Sequence, residues 1–130
     1  MQIITGRISS AQKVVIYGPE GIGKTTFISN PLFIDTEGST KHLNVARTQP
    51  PTSWTMLLSL VKSFKDNPMG YQTLAIDTAD WAEKLCTEHI CSKKENITGI
   101  EDFGYGKGYV YLGEEFGRLL NLLEDIIDKG

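Results

Sequence analysis

The spacing of hydrophobic residues along the chain predicts an alternation of strands and helices. Apolar runs at residues 13–17, 31–35 and 71–77 predict parallel strands, and the run at 13–17 is typical of a central strand buried on both faces. Apolar residues three and four positions apart predict helices between and after these runs. This order favours an α/β fold with a three-layer, mostly parallel, doubly wound sheet in a single domain over residues 1–130.

Helices are predicted at residues 24–29, 79–91 and 109–128. A further helix is predicted to begin after an N-cap at Thr52 or Ser53. Polar or glycine-rich loops are predicted at residues 38–52 and 93–108. The predicted inward-facing side chains of the last three helices are, in chain order, Trp54, Leu57, Leu58, Val61 and Phe64; Ala82, Leu85, Cys86 and His89; and Leu112, Phe116, Leu119, Leu120, Leu123 and Ile127.

Charge and composition exclude several classes of protein. Thirteen Lys and Arg residues against 16 Asp and Glu residues give a net charge of −3, which argues against tight non-specific DNA binding by the chain as a whole but leaves a local patch open. No apolar run approaches the roughly 18 residues of a membrane span. The first residues lack the basic start of a signal peptide, so we expect a cytoplasmic protein.

Cys86 and Cys91 are the only cysteines. Five positions apart on one helix, their side chains diverge by about 140°, which argues against a mutual disulfide. A zinc site with His89 lacks a fourth ligand and has the wrong spacing, so we predict buried thiols.

The strongest chemical signal lies at residues 14–26, where an apolar strand leads into a glycine-rich turn and then a helix start. This stretch fits G-x-x-x-x-G-K-[ST] in the context that the motif requires. Glycines let successive backbone N–H groups point into one cavity, and the helix start adds donors and the positive end of its dipole. The predicted nucleotide-binding residues are Gly18, Pro19, Glu20, Gly21, Ile22, Gly23, Lys24, Thr25 and Thr26.

Within this loop, Lys24 supplies a positive charge for the β- and γ-phosphates and is a predicted catalytic residue. The Thr25 hydroxyl is the predicted ligand of a magnesium ion that accompanies the nucleotide. Thr26 is expected to contact the α-phosphate.

Acidic residues follow the second and third predicted strands, at the edge where an open α/β sheet binds its ligand. Asp77 ends a hydrophobic run and is a predicted magnesium ligand, the alternative being an N-cap of the next helix. Glu37 lies just beyond the second strand and is predicted to orient and polarise the attacking water, the alternative being a solvated loop acid.

The phosphate loop and the acidic strand ends together resemble the pattern of a known family. The loop at residues 18–26, followed by Phe33 to Glu37, resembles the RecA-core ATPases, in which the glutamate after the second strand activates water. With Ile76 to Thr78, Trp81 and residues 101–109, the chain is similar to phage-encoded RecA-like nucleotide-binding proteins linked to single-strand annealing and recombination. The resemblance implies ATP hydrolysis with Mg²⁺, action on single-stranded DNA, and a ring or filament of subunits.

That fold places its first DNA-binding loop where this chain has a glycine-rich aromatic segment. The candidate DNA-binding residues are Phe103, Tyr105, Lys107 and Tyr109; the aromatic rings would stack on bases and the lysine would meet a phosphate. A connector with its aromatic residues packed on the core is the alternative. A small-molecule kinase and a nucleotide-dependent switch or assembly protein with little turnover are the alternative functions.

Two features of the chain suggest that the sequence is an incomplete record. The first predicted strand is about 16 Å long, and the crossover must bring the chain back over that distance before the second parallel strand can start. Residues 24–30 span only about 10 Å as a helix, which is too short. We therefore expect residues to be missing near Asn30–Pro31. The resemblance also leads us to expect further strands, one of them carrying a sensor residue, beyond Gly130.

Overall fold

A computed structural model describes residues 1–17, 30–94 and 97–130 of the chain. Its elements, in chain order, are strand β1 (Pro31–Asp35), strand β2 (Ala46–Arg47), helix α1 (Trp54–Asp66), strand β3 (Thr73–Asp77), helix α2 (Ala79–Ser92), a 3-10 helix (Ile100–Phe103) and helix α3 (Lys107–Asp128).

The described strands form one parallel sheet in the order β2-β1-β3. The register between β1 and β3 runs from Pro31 opposite Thr73 to Asp35 opposite Asp77, so the two strands end level with each other. Leu32, Phe33 and Ile34 are almost completely buried, as expected for a middle strand. The predictions of an α/β fold and of strands at 31–35 and within 71–77 are confirmed.

Strand β2 lies in a segment predicted to be a loop. Its two residues pair with Leu32 and Phe33 of β1, and Thr48 N donates to Phe33 O at 2.9 Å. A strand this short shows no alternation of polar and apolar residues, so its sequence gives no strand signal.

The predicted strand at residues 13–17 is not formed in the structure. Val14, Val15 and Tyr17 are 65%, 80% and 89% exposed, and none of the three described strands pairs with this segment. Without a neighbouring strand the apolar run has neither a hydrogen-bond ladder nor a surface to bury. The helix predicted at residues 24–29 lies outside the described residues, and the expected break near Asn30–Pro31 stays a prediction.

The predicted faces of the helices agree with the observed core in most positions. Ser53 is the N-cap of α1, its side chain accepting from Met56 N, and Thr78 caps α2. The core cluster of buried residues contains Ile34, Trp54, Leu57, Val61, Ala82, Leu85, Cys86 and Leu119. The prediction fails at Leu120, which is 41% exposed, because the buried face of α3 is centred on Leu119, as predicted, and on Glu115.

Glu115 is a buried carboxylate that joins the three helices. Its side chain accepts a 3.0 Å hydrogen bond from Trp54 Nε1 of α1 and lies 3.6 Å from His89 Nε2 of α2. Arg118, one turn along α3, brings Nε within 3.4 Å of the second carboxylate oxygen. A buried carboxylate needs such partners, and these fix how α1, α2 and α3 sit against one another.

The segment predicted as a loop at residues 93–108 contains ordered structure. Asp102 accepts hydrogen bonds from the Thr98 hydroxyl and from the backbone N–H groups of Thr98 and Gly99, which holds the 3-10 helix. Helix α3 begins at Lys107, two residues earlier than predicted. Gly108 lies so close to the 3-10 helix that a Cβ atom on it would be 1.9 Å from Ile100 O.

Both cysteines are buried free thiols, as predicted. Burial, with the nearby carboxylates of Glu115 and Glu83, raises the pKa of Cys86 to about 12. Such a thiol stays protonated and acts as a small packing group.

Among the described residues, no helix has both the length and the apolar character that crossing a bilayer requires.

The contact of Gly108 with Ile100 gives the first prediction. Gly108→Ala should lower the free energy of unfolding by about 1–3 kcal/mol, because the added methyl group overlaps a backbone carbonyl. The matched control is Gly113→Ala in the same helix, where a Cβ atom meets nothing within 4 Å. That variant should be up to about 1 kcal/mol more stable, since alanine favours a helix. Urea unfolding of the three proteins checks this, and a Gly108→Ala protein as stable as Gly113→Ala would contradict it.

Candidate functional site

The carboxyl ends of β1 and β3 form the candidate site. Parallel pairing in register places Asp35 beside Asp77, and the segments that leave the two strands start from the same edge of the sheet. This edge is where an open parallel sheet presents loops to a ligand. Both predicted acidic site residues, Glu37 and Asp77, therefore lie at one end of the described sheet.

Asp35 organises the loop that follows β1. Its side chain is fully buried and accepts hydrogen bonds from the backbone N–H groups of Gly38 (2.7 Å), Ser39 (3.0 Å) and Thr40 (3.0 Å), and from the Thr40 hydroxyl (2.5 Å). The donors lie three to five residues ahead, so the carboxylate folds the chain back over itself. Gly38 has φ +80°, which glycine adopts without strain. Glu37 is carried on this loop and is exposed.

Arg47 of β2 extends this network. Its Nε donates to Thr40 Oγ1 at 3.1 Å, and its Nη2 donates to the carbonyl oxygens of Thr40 at 2.8 Å and Leu43 at 2.5 Å. Thr40 is itself fully buried. The guanidinium therefore holds both ends of the segment from Thr40 to Leu43 and ties the loop to the edge strand.

The hydrogen bonds also control the charge of Asp35. Burial by itself raises the pKa of this carboxyl, but the hydrogen bonds from the Thr40 side chain and from the N–H groups of Thr40, Gly38 and Ser39 outweigh it. The net result is a pKa below the usual value. Asp35 is thus a buried, ionised and fully hydrogen-bonded group.

Thr36 connects the loop to the end of β3. Its N–H donates to Asp77 O at 2.8 Å, and its hydroxyl lies 2.9 Å from Asp77 O and 3.1 Å from Thr78 O. The same hydroxyl accepts from Thr78 N at 2.8 Å. Thr36 thus extends the link between the two strands beyond the last ladder pair.

Thr78, and not Asp77, is the N-cap of α2: its hydroxyl accepts from Trp81 N. The alternative that Asp77 caps this helix is therefore wrong. Asp77 is half-buried at the end of β3, at the edge where the predicted magnesium-binding role requires it.

The predicted nucleotide-binding residues, from Gly18 to Thr26 and including Lys24 and Thr25, lie outside the described residues. Their roles stay predictions. The loop-forming role of Asp35 was not predicted from the sequence, nor were the contributions of Thr36, Thr40 and Arg47. An aspartate followed within five residues by glycine, serine and threonine is the available signal, because such side chains commonly accept from nearby backbone N–H groups.

The donor set at this edge suits a magnesium ion bound together with a nucleotide. Across the described ranges, no three His, Cys, Asp or Glu side chains converge on one point as a metal cage. Magnesium at nucleotide sites uses one or two carboxylates and the phosphate oxygens instead of such a cage. Asp77, at the end of β3, is the residue predicted to provide such a carboxylate.

The candidate DNA-binding residues lie at the junction of the 3-10 helix and α3. The ring of Phe103 packs edge-on against Tyr111 at 5.3 Å, with Lys94 Nζ 5.5 Å from its centre. Tyr105 is fully exposed at φ +51°, between two glycines that also have positive φ. Lys107 and Tyr109 lie exposed in the first turn of α3.

Tyr109 has a partner of its own. Its hydroxyl donates to Glu101 Oε1 at 3.2 Å, and this hydrogen bond, with the carboxylate charge, raises the pKa of Tyr109. Of the predicted aromatic residues, Tyr105 is therefore the one that projects most freely.

The buried carboxylate of Asp35 gives the second prediction. Because its pKa is lower in the folded protein than in the unfolded chain, its ionised form stabilises the fold above the unfolded pKa of about 4. That stabilisation is lost as the pH falls through the lower folded value. Asp35→Asn should be about 1–3 kcal/mol less stable than the wild type at pH 7, with the difference shrinking below about pH 4.

Urea unfolding from pH 7 down to pH 2.5 measures this difference. Asp66→Asn, which changes an exposed aspartate at the end of α1, is the matched control and should stay within about 0.5 kcal/mol of the wild type. If the difference in unfolding free energy between the wild type and Asp35→Asn did not change with pH, the charge of Asp35 would not be what stabilises the loop.

Comparison with protein families gives a match over most of the chain. A family model described as an AAA domain matches residues 10–128, a span that contains the phosphate-loop motif and both acidic strand ends. No curated protein and no solved structure matches the chain. The AAA domain is a family of P-loop ATPases of the AAA type, and the length of the match shows that this chain belongs to it.

Proposed function

We propose that the chain binds and hydrolyses ATP through a RecA-like arrangement of its acidic residues. The observation that carries the proposal is the edge formed by β1 and β3, where the loop bearing Glu37 is hydrogen-bonded to the backbone of Asp77. The phosphate-loop motif at residues 18–26 and membership of the AAA domain family support nucleotide binding.

In this proposal Lys24 and the N–H groups of its loop hold the phosphates, and Glu37 accepts a proton from the attacking water or orients it. Thr25 and Asp77 would hold the magnesium ion, which neutralises charge on the phosphate oxygens when it is bound with the nucleotide. Glu37 suits its role because it is exposed, while the buried side chain of Asp35 holds the loop that carries it in place.

The third prediction tests the role of Glu37. Glu37→Gln should slow ATP hydrolysis at saturating Mg²⁺-ATP by about 100-fold or more, because the amide cannot accept a proton. The rise in melting temperature caused by the nucleotide should remain. Phosphate release and thermal unfolding measure the two properties on the same samples.

Two control variants make the result specific. Glu88→Gln changes an exposed glutamate on α2 and should leave turnover unchanged. Lys24→Ala should abolish the nucleotide-induced rise in melting temperature while leaving the protein without nucleotide as stable as before. Undiminished turnover in Glu37→Gln would show that Glu37 is only a solvated loop residue. Turnover that requires a small phosphate acceptor would favour a kinase.

We further propose single-stranded DNA as a partner, on the observation that Tyr105 projects fully into solvent beside Lys107 and Tyr109. An exposed aromatic ring offers a stacking surface to any base, and a neighbouring lysine suits the phosphate backbone. The negative net charge of the chain confines such binding to a local surface.

The fourth prediction concerns this surface. The double variant Tyr105→Ala, Lys107→Ala should bind a fluorescent oligothymidine about tenfold or more weakly in anisotropy titrations with ATP present, because one stacked base contributes about 1–3 kcal/mol. The double variant Trp81→Ala, Lys84→Ala removes another exposed aromatic residue with a lysine 4.3 Å from its ring. Equal losses in both double variants, or no loss in the first, would rule out a specific DNA surface at Tyr105.

A further inference from the structure

The hydroxyl group of Thr36 occupies a position that the predicted chemistry does not use. Thr36 is 7% exposed and stands between Asp35, the last residue of β1, and Glu37. Its backbone N–H already ties it to Asp77 O, so the strand ends would be connected without its side chain. The hydroxyl nevertheless makes further contacts with the same segment.

These contacts reach both sides of the peptide that joins Asp77 to Thr78. The hydroxyl is 2.9 Å from Asp77 O and 3.1 Å from Thr78 O, and it accepts from Thr78 N at 2.8 Å. A single oxygen atom therefore acts as both donor and acceptor at the point where β3 passes into α2. Valine has the shape of threonine but neither of these capacities.

The other anchors of the loop determine its fold but not its distance from β3. Asp35 bonds to Gly38, Ser39 and Thr40, and Arg47 bonds to Thr40 and Leu43, all on the side of β1 and β2. Thr36 bonds across to β3. Glu37 is the next residue in the chain, so the distance from Glu37 to Asp77 depends on the hydrogen bonds of Thr36.

We infer that Thr36 is a positioning residue, whose hydroxyl fixes Glu37 relative to Asp77 and so sets the distance between the water-orienting carboxylate and the nucleotide. This inference rests on the proposed ATPase function. It assigns Thr36 no contact with the nucleotide. A displacement of about 1 Å between reacting groups lowers a rate by about 100-fold, so a hydroxyl that holds such a distance affects turnover more than affinity.

The fifth prediction follows. Thr36→Val in the full chain should lower kcat for Mg²⁺-ATP about 10- to 100-fold, with KM and the nucleotide-induced rise in melting temperature changed less than threefold. Thr36→Ser, which keeps the hydroxyl, should restore kcat to within about threefold of the wild type. Thr55→Val, at an exposed threonine on α1, is the matched control and should leave turnover unchanged.

A double variant separates positioning from general loss of structure. If Thr36 acts through Glu37, Thr36→Val should cause no further loss of kcat in a Glu37→Gln background, whereas independent effects would multiply. The inference is overturned if Thr36→Val keeps full kcat, if Thr36→Ser is as slow as Thr36→Val, or if the two losses multiply.

The same series distinguishes a failure of this inference from a failure of the proposed function. Normal turnover in Glu37→Gln, or no ATP hydrolysis by the wild type, rejects the function and the inference together. A slow Glu37→Gln beside a fully active Thr36→Val rejects only the role of Thr36.

Discussion

The parallel pairing of β1 with β3 is the constraint on which the described structure depends. Five residues of each strand pair in register, so the chain leaves both strands at the same level and acidic residues meet at one edge. The proposed roles of Glu37 and Asp77 both need this pairing, because it brings the two residues to the same end of the sheet. A shift of one residue would turn every side chain of the shifted strand to the opposite face and would place Asp35 in a different environment.

Polar groups buried in the interior do different work from the apolar core. Ile34, Leu57, Val61 and Cys86 fill space, and similar shapes could replace them at modest cost. Asp35 and Glu115 instead accept hydrogen bonds from identified donors, and each fixes one arrangement of its neighbours. Asp35 shapes a loop at the sheet edge, whereas Glu115 sets how three helices pack. The candidate site is thus supported by one buried carboxylate, Asp35, and the packing of the helices by another, Glu115.

Sequence patterns predicted the parts of the fold that depend on local periodicity. The strand at 31–35 and the faces of α1 and α2 follow from the spacing of apolar residues, and the structure agrees. The failures occur where distant partners decide. Residues 13–17 have the composition of a strand but no partner in the described sheet, whereas Ala46 and Arg47 form a strand because they pair with Leu32 and Phe33 of β1. For the site, the positions of Glu37 and Asp77 at one edge were predictable, but Thr36 was not, because its value lies in contacts about 40 residues away.

The single carboxylate that gathers Gly38, Ser39 and Thr40 has a consequence for the motion of the loop. Three successive amide hydrogens depend on one carboxylate, Gly38 and Ser39 on Oδ1 and Thr40 on Oδ2, so their exchange with solvent is coupled through the Asp35 side chain. Any event that releases the Asp35 side chain exposes all three together, and any ligand that braces the loop slows all three together. Glu37 is the residue that precedes these amides, so the exchange rate that they share reports on the rigidity of the loop that carries Glu37.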